Sequence, residues 1–131
     1  MQRLSSIMST PVRVVGPKDT LAHARNQLLK TGFNRIFVVN SEDKPTGILT
    51  KSDMARLAGR LSLSEKDRPI DQVPVEEAMA KNVFVMKPSA LAKSAAREML
   101  RRKISGVGVV DKEGKLVGVV SKSDLVRCYA D

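Results

Sequence analysis

The sequence predicts an α/β (α+β) fold made of two β-α-β-β-α repeats, each with a small sheet packed on two helices. The main observation is an internal repeat, because residues 8–57 align without a gap on residues 79–128 and fifteen positions are identical. Chance would give about three matches in such an alignment. Short apolar runs also alternate with longer amphipathic segments in both copies. Since a repeat of about 50 residues is too small to bury a good core alone, we expect the copies to pack together about a pseudo-two-fold axis.

The first half of each repeat predicts a strand followed by a helix. In the first copy, residues 12–15 alternate as a short strand, and Asp19 or Thr20 can cap the next helix by accepting hydrogen bonds from its free amides. Apolar residues at helical spacing predict the buried face of this helix and of its counterpart in the second copy. They are Leu21, Ala24, Leu28 and Leu29, and Leu91, Ala92, Ala95, Met99 and Leu100.

The second half of each repeat predicts a hairpin and a closing helix. Residues 36–39 and 107–110 are continuous apolar runs, typical of a strand that is buried on both faces. A polar turn joins each run to a partner strand, which covers residues 46–49 in the first copy. The closing helix is predicted to begin at Ser52 in the first copy and at Ser123 in the second.

The repeat also predicts the domain organisation. We expect a first copy over residues 1–61, a linker over 62–74 and a second copy over 75–131. The linker is polar and contains two prolines, which favours a connection over a core segment. Residues 4–8 and 75–79 are predicted as short helices that lead into the first and the second copy, respectively.

Composition limits the classes of function. The formal net charge of +9, from 23 Lys and Arg against 14 Asp and Glu, favours anionic partners such as phosphorylated metabolites, nucleic acid or an acidic protein. Aromatic residues make up only 3%, which weakens any hypothesis that needs base-stacking platforms. The single cysteine, Cys128, fits a reducing compartment. We therefore expect a cytoplasmic protein without a membrane span or a secretory leader.

Three features of each copy carry a resemblance to a known family. They are Ile7-Met8-Ser9-Thr10 or Ala78-Met79-Ala80-Lys81 before the first strand, the strand Arg35-Ile36-Phe37-Val38-Val39 or Gly106-Val107-Gly108-Val109-Val110, and the closing Gly-hydrophobic-x-Thr/Ser-x-x-Asp signature. With these features in order and in register, the sequence resembles a tandem pair of CBS domains. This pair is the Bateman module, named after cystathionine β-synthase and also found in IMP dehydrogenase and the AMP-activated kinase.

The resemblance implies a non-catalytic regulatory module whose clefts between the repeats bind adenosine-containing molecules. The ligands it implies are AMP, ADP, ATP or S-adenosylmethionine, and it requires no cofactor. It also implies a disc-shaped homodimer held by helical faces. Leftover apolar residues of the closing helices fit such an interface: Leu57, Leu61, Leu63, Leu125, Val126 and Tyr129.

The chemistry of the signature agrees with these ligands. Asp53 and Asp124 fall in the first turn of the closing helix, where a carboxylate is favoured and can accept both hydroxyls of a ribose. The hydroxyl of Thr50 or Ser121, together with free helix amides, suits a phosphate. A glycine at the start of the signature, such as Gly47, allows a tight bend or the close approach of a base.

The two copies are not equivalent around this signature. Arg35 stands just before the buried strand, where nucleotide-binding relatives often have a basic residue that reaches phosphates. Its counterpart in the second copy is Gly106. We therefore expect two sites of different affinity. The predicted nucleotide-binding residues are Thr10, Val12, Arg35, Ile36, Val38, Thr50, Lys51, Asp53, Val83, Val107, Ser121, Lys122 and Asp124.

Three other interpretations stay open at this point. The same signature is an ordinary helix start in which the serine caps and the aspartate serves the dipole, without any ligand. The row Lys93, Arg97 and Arg101 at helical spacing, extended by Arg102 and Lys103, indicates a polyanion contact, hence a basic nucleic-acid-binding protein on the same scaffold. A ligand-free assembly module is the third. We do not expect an enzyme or a metal site, because His23 and Cys128 lack the partner residues that either would need.

Overall fold

The computed structural model describes residues 2–31, 34–62 and 69–130, and it has the predicted mixed α/β class. Each copy contains one strand, one helix, two further strands and a closing helix, in that order. The elements are α1 (Leu4–Ile7), β1 (Val14–Val15), α2 (Leu21–Thr31), β2 (Arg35–Val39), β3 (Pro45–Thr50), α3 (Lys51–Ser62), 3₁₀ helices at Ile70–Gln72 and Val75–Glu77, β4 (Val85–Met86), α4 (Ala92–Arg102), β5 (Gly106–Val110), β6 (Leu116–Ser121) and α5 (Lys122–Ala130).

The two sheets have the same topology. Each has three strands with the middle strand of the repeat at its centre, in the orders β1-β2-β3 and β4-β5-β6. The first strand is parallel to the middle strand and the third is antiparallel to it. The first strand is shorter than residues 12–15, because only Val14 and Val15 pair with β2.

The hairpin turns are built by one side chain in each copy. The Asn40 side chain accepts hydrogen bonds from the amides of Glu42 and Lys44, at 2.9 and 3.0 Å. Asp111 does the same for Glu113 and Lys115, both at 2.9 Å. These local bonds satisfy turn amides that the β-ladder leaves without a strand partner.

The chain divides into two units that do not coincide with the sequence copies. The continuous unit is Arg13–Val83, and the split unit is formed by Met1–Val12 together with Phe84–Asp131. The short helix α1 therefore packs with the second copy, where Leu4 is fully buried. The Val75–Glu77 helix packs with the first copy, where Val75 is fully buried. Each short helix thus joins the copy opposite to the one that it was predicted to lead into.

Each unit has its own hydrophobic core between the sheet and the helices. The core of the continuous unit is Val15, Leu21, Ala24, Leu28, Ile36, Val38, Leu49, Leu57, Val73, Val75 and Ala78. The core of the split unit is Leu4, Ala92, Ala95, Met99, Val107, Val109, Val120 and Leu125. Val73 lies inside the predicted linker, yet it is buried and its carbonyl accepts the amide of Leu21 at 2.9 Å. The segment after residue 68 is therefore part of this core.

Two leucines predicted on buried helix faces are exposed. Leu29 on α2 and Leu100 on α4 occupy equivalent positions and are 66% and 83% exposed. Each follows a core residue, Leu28 or Met99, and one residue along a helix rotates a side chain by about 100°. Both side chains therefore lie off the face that packs on the sheet.

Candidate functional site

The Thr/Ser-x-x-Asp signature forms a reciprocal cap at the start of each closing helix. The Asp53 amide donates to Thr50 Oγ1 at 3.1 Å, and the Thr50 amide donates to Asp53 Oδ2 at 2.9 Å. Ser121 and Asp124 exchange the same two bonds at 3.3 and 2.8 Å. The prediction that the helices begin at Ser52 and Ser123 is wrong. They begin at Lys51 and Lys122, one residue after the hydroxyl that caps them.

The two signature carboxylates differ in their surroundings. Arg56, one turn along α3, donates to Asp53 Oδ1 at 3.1 Å, and 11% of the Asp53 side chain is exposed. Asp124 Oδ1 pairs in the same way with Arg127, but only 2% of its side chain is exposed. Arg56 and Arg127 therefore neutralise the signature carboxylates. Their spacing, three residues after an aspartate on a helix, is the signal for this pairing in the sequence.

Asp124 has one more partner, which sequence reasoning missed. Ser9 Oγ donates to Asp124 Oδ1 at 3.1 Å, and the Ser9 backbone pairs with Val119 on β6. The equivalent residue of the continuous unit is Ala80, whose backbone pairs with Ile48 on β3 in the same way. Ala80 has no hydroxyl to donate to Asp53. The signal for this difference was the Ser9/Ala80 mismatch in the aligned repeat.

The signature glycines make room for methionines. A Cβ on Gly47 would lie 2.3 Å from Met79 Sδ, and a Cβ on Gly118 would lie 2.4 Å from Met8 Sδ. Real side chains do not approach so closely, so a larger residue would displace the methionine. The space beside Gly47, which was expected to admit a base, is therefore occupied by Met79 of the same unit.

Arg35 stands beside the signature of the continuous unit. It begins β2 and is the register partner of Thr50, while the Lys51 amide donates to the carbonyl of Asn34 at 3.2 Å. Partial burial lowers the pKa of the Arg35 guanidinium, which stays charged because an arginine pKa lies far above neutrality. Lys51 and Lys122 are both exposed. Arg35, Thr50 and Asp53 thus form a cluster at one end of the β2–β3 hairpin.

The predicted site residues divide between the units. The continuous unit contains Arg35, Ile36, Val38, Thr50, Lys51, Asp53 and Val83, and the split unit contains Thr10, Val12, Val107, Ser121, Lys122 and Asp124. The side chains of Ile36, Val38 and Val107 belong to the hydrophobic cores. Alternation along a strand places Phe37 on the face opposite to Ile36 and Val38. Thr10 is exposed, and Val12 and Val83 are half-buried.

The basic row on α4 is partly neutralised. Glu98 pairs with Arg101 at 3.3 Å and with Arg102 at 2.9 Å. The hydrogen bond from Arg102 holds the pKa of Glu98 below its ordinary value. The Arg102 guanidinium also lies 3.9 Å from the centre of the Phe84 ring. Two of the cations that motivated the nucleic-acid hypothesis are therefore engaged within the split unit.

The described residues form neither a metal-binding cluster nor a membrane-spanning helix. Within residues 2–31, 34–62 and 69–130, no three His, Cys, Asp or Glu side chains are grouped so that they could hold a metal ion. In the same ranges, no helix has the length and apolar character needed to cross a membrane.

Comparison with known proteins identifies the family. The model of the CBS domain matches the chain twice, over residues 4–60 and 75–131. The chain belongs to the CBS domain family. Each match contains one Thr/Ser-x-x-Asp helix start, so the two caps described above are equivalent parts of a tandem CBS pair.

Two curated relatives show how far the likeness extends. An uncharacterized 17.7 kDa protein of Acidianus ambivalens is 30% identical over 129 residues, which cover 98% of this chain and 74% of that protein. The inosine-5′-monophosphate dehydrogenase of Bifidobacterium longum is 30% identical over 97% of this chain. The chain spans only 22% of that enzyme, so the match covers a small part of the dehydrogenase.

A solved structure supports the fold over the whole chain. The CBS domain pair of protein MJ0100, in complex with 5′-methylthioadenosine and S-adenosyl-L-methionine, is similar with a TM-score of 0.83 and 26% identity. The match covers 98% of this chain and 96% of that chain.

Proposed function

We propose that this chain is a cytoplasmic, non-catalytic regulatory module that binds an adenosine-containing ligand and passes its occupancy to a partner. The ligand class comprises AMP, ADP, ATP and S-adenosylmethionine. The observation that carries the proposal is the likeness, over 98% of this chain, to a CBS pair whose structure contains two adenosine compounds. We further propose that the chain acts as a homodimer.

The polar cluster of the continuous unit fits such a ligand. Asp53 offers a carboxylate near the N-terminus of α3, where it can accept ribose hydroxyls. Arg35 and Thr50 lie at the same end of the hairpin, and a guanidinium with a neighbouring hydroxyl suits a phosphate.

The signature aspartates are not arranged for catalysis. Both signature aspartates are held by helix caps and by an arginine, so neither is placed as a general base. The signature clusters contain no cysteine or histidine that could act as a nucleophile with a base. Binding and release of the ligand are therefore the events that a partner would sense.

A thermal-shift screen tests the ligand class. AMP, ADP, ATP, S-adenosylmethionine, NADH and GTP are compared at equal concentration with the complete chain. A ligand at a hundredfold excess over its dissociation constant stabilises the folded state by about 2.7 kcal/mol, and we expect this from at least one adenosine compound and less from GTP. The absence of any shift with every adenosine compound, and of any heat in calorimetry, contradicts the proposal.

A further inference from the structure

The hydrogen bonds to the two signature carboxylates differ in number. An ionised carboxylate has about four lone-pair positions that can accept hydrogen bonds. Asp124 accepts four bonds, from the Ser121 amide, the Ser121 hydroxyl, Ser9 Oγ and Arg127. Asp53 accepts two within the described ranges of the chain, from the Thr50 amide and Arg56. Asp53 therefore has capacity for two further donors, the number that a ribose diol supplies, whereas Asp124 has none.

The capping hydroxyls also differ, because the Ser121 hydroxyl is fully bonded and the Thr50 hydroxyl is not, within the part of the chain that the structure describes. Ser121 Oγ donates its proton to Asp124 Oδ2 at 3.1 Å while it accepts the Asp124 amide. Thr50 Oγ1 accepts the Asp53 amide, and the structure shows no acceptor for its proton among the described residues. The Thr50 hydroxyl can therefore donate to a ligand without breaking a bond, but the Ser121 hydroxyl cannot.

The extra donor to Asp124 comes from the segment that the two copies exchange. Ser9 follows α1, and its backbone bonds to β6 fix it beside the start of α5, with the Ser9 amide 2.8 Å from the Val119 carbonyl. In the continuous unit the Ala80 amide lies 2.9 Å from the Ile48 carbonyl at the equivalent position. Since the backbone arrangement is the same, the two signatures differ by the Ser9 hydroxyl and by the bond from the Ser121 hydroxyl.

We propose that Asp53 is the ribose-binding carboxylate of this chain, and that Asp124 instead anchors the N-terminal segment through Ser9. The inference rests on the proposed function for its first half, because it assigns the ligand to one of two equivalent signatures. The second half, the anchor, does not depend on any ligand. The Ser9 and Ser121 hydroxyls, which have no counterpart bonds at Asp53 in the described ranges, thus determine which signature is open to a diol.

Asp124, the signature carboxylate without a ligand in this assignment, has a structural role in the fold. Asp124 ties residues 2–12 to the second copy through a bond whose donor and acceptor are 115 residues apart in the sequence. A diol at Asp124 would have to displace Ser9 and loosen this segment. A diol at Asp53 displaces no side chain of the continuous unit that the structure describes.

Exchanging the two residues tests the assignment. AMP and 2′,3′-dideoxy-AMP are titrated by calorimetry into the wild type, Asp53→Asn, Ala80→Ser, Ser9→Ala and Ser9→Ala/Asp124→Asn. We expect one diol-dependent site in the wild type, with dideoxy-AMP at least about a hundredfold weaker because two charge-assisted bonds are lost. Asp53→Asn removes this site, and Ala80→Ser weakens it about tenfold, while Ala58→Ser on the exposed face of α3 is the matched control.

The Ser9→Ala variant gives the converse result. It leaves three bonds on Asp124, and the Ser121 hydroxyl can turn its proton from Asp124 to the ligand. A second, weaker diol-dependent site should therefore appear, which the added Asp124→Asn substitution removes again. A diol-dependent site that survives Asp53→Asn, or a stoichiometry of one in Ser9→Ala, overturns the assignment.

Hydrogen exchange without ligand tests the anchor separately. The Ser9 amide should exchange faster in Ser9→Ala, which removes the bond, and in Asp124→Asn, which removes its charge. The double variant should exchange no faster than Ser9→Ala, because both changes act on the same bond. Independent, additive effects overturn the anchor. If AMP binds nowhere and the exchange is coupled, the proposed function fails and the anchor stands; if AMP binds and the exchange is uncoupled, the anchor alone fails.

Discussion

Arg35 and Gly106 occupy equivalent positions, and only the arginine can neutralise a phosphate. We expect Arg35→Gln to weaken AMP by about tenfold to a hundredfold, the range of one hydrogen bond to a charged group. Adenosine, which has no phosphate, should bind almost as well as to the wild type. Calorimetry with both compounds measures the difference, and an equal loss for adenosine would show that Arg35 supports the fold and not the phosphate.

Gly47 is required by the packing of Met79 against β3. Gly47→Ala should lower the free energy of unfolding by about 1–3 kcal/mol, the usual cost of overpacking, because its Cβ would meet Met79 Sδ at 2.3 Å. Gly59 on α3 is the matched control, since a Cβ there meets no atom within 4 Å. Gly59→Ala should be neutral or stabilising by about 0.5–1 kcal/mol.

Denaturant unfolding measures both glycine variants. Adding Met79→Ala to Gly47→Ala should recover part of the loss, since it removes the atoms that clash. A Gly47→Ala variant as stable as the wild type would contradict this account of the glycine.

Individual residues of the site were only partly predictable from the sequence. Thr50, Asp53, Ser121 and Asp124 could be located because their spacing is repeated next to a helix start. The partner of Asp124 could not be located, because Ser9 lies far from it in the sequence and nothing local reports which sheet edge the N-terminal segment joins. Local spacing predicts local hydrogen bonds, whereas tertiary contacts need the fold.

The hairpin turns require a left-handed residue at the same position in both copies. Asp43 has φ 63° and Gly114 has φ 83°, and glycine adopts this region without steric cost. Asp43→Gly removes the strain of the left-handed backbone and should therefore raise the free energy of unfolding by about 0.5–1 kcal/mol. The value stays unchanged if the added entropy of the unfolded chain offsets the strain that is removed. Gly114→Asp should lower it. Thermal unfolding measures both, and a stabilised Gly114→Asp variant would contradict the argument.

The elements themselves follow closely from the pattern of the sequence. Thr20, one of the two predicted caps, caps α2 through the His23 amide at 3.2 Å, and the apolar runs at 36–39 and 107–110 lie within β2 and β5. The exchange of the short helices could not be predicted, because each buries one apolar residue, Leu4 or Val75, and local spacing does not indicate which core that residue joins. The choice between them is made by packing of Leu4 and Val75 in the cores.

Exposed apolar residues of the split unit are candidates for the interface of the proposed homodimer. Leu57 and Leu125, predicted at a dimer interface, are buried in the cores, and Leu63 lies outside the described residues. Leu100, Val126 and Tyr129 remain well exposed on α4 and α5, which is costly unless a partner covers them.

Light scattering tests the homodimer. The mass should be twice the 14.3 kDa of one chain at micromolar concentration. Leu100→Glu should shift the protein to the monomer, while Lys112→Glu, on an exposed turn, should not. A monomer mass for the wild type across micromolar concentrations would contradict the homodimer.

Titration of AMP into the wild type and into the Asp53→Asn/Asp124→Asn variant tests the central claim most directly. Asparagine retains an oxygen that can accept the capping amide, so both helix starts should persist, with a loss of stability of about 0.5–2 kcal/mol at most. We predict saturable binding to the wild type and a loss of more than about a hundredfold in the variant, because the charge-assisted bonds to the ribose are gone. Binding to the variant with wild-type affinity would show that both carboxylates are only helix caps and would contradict the account.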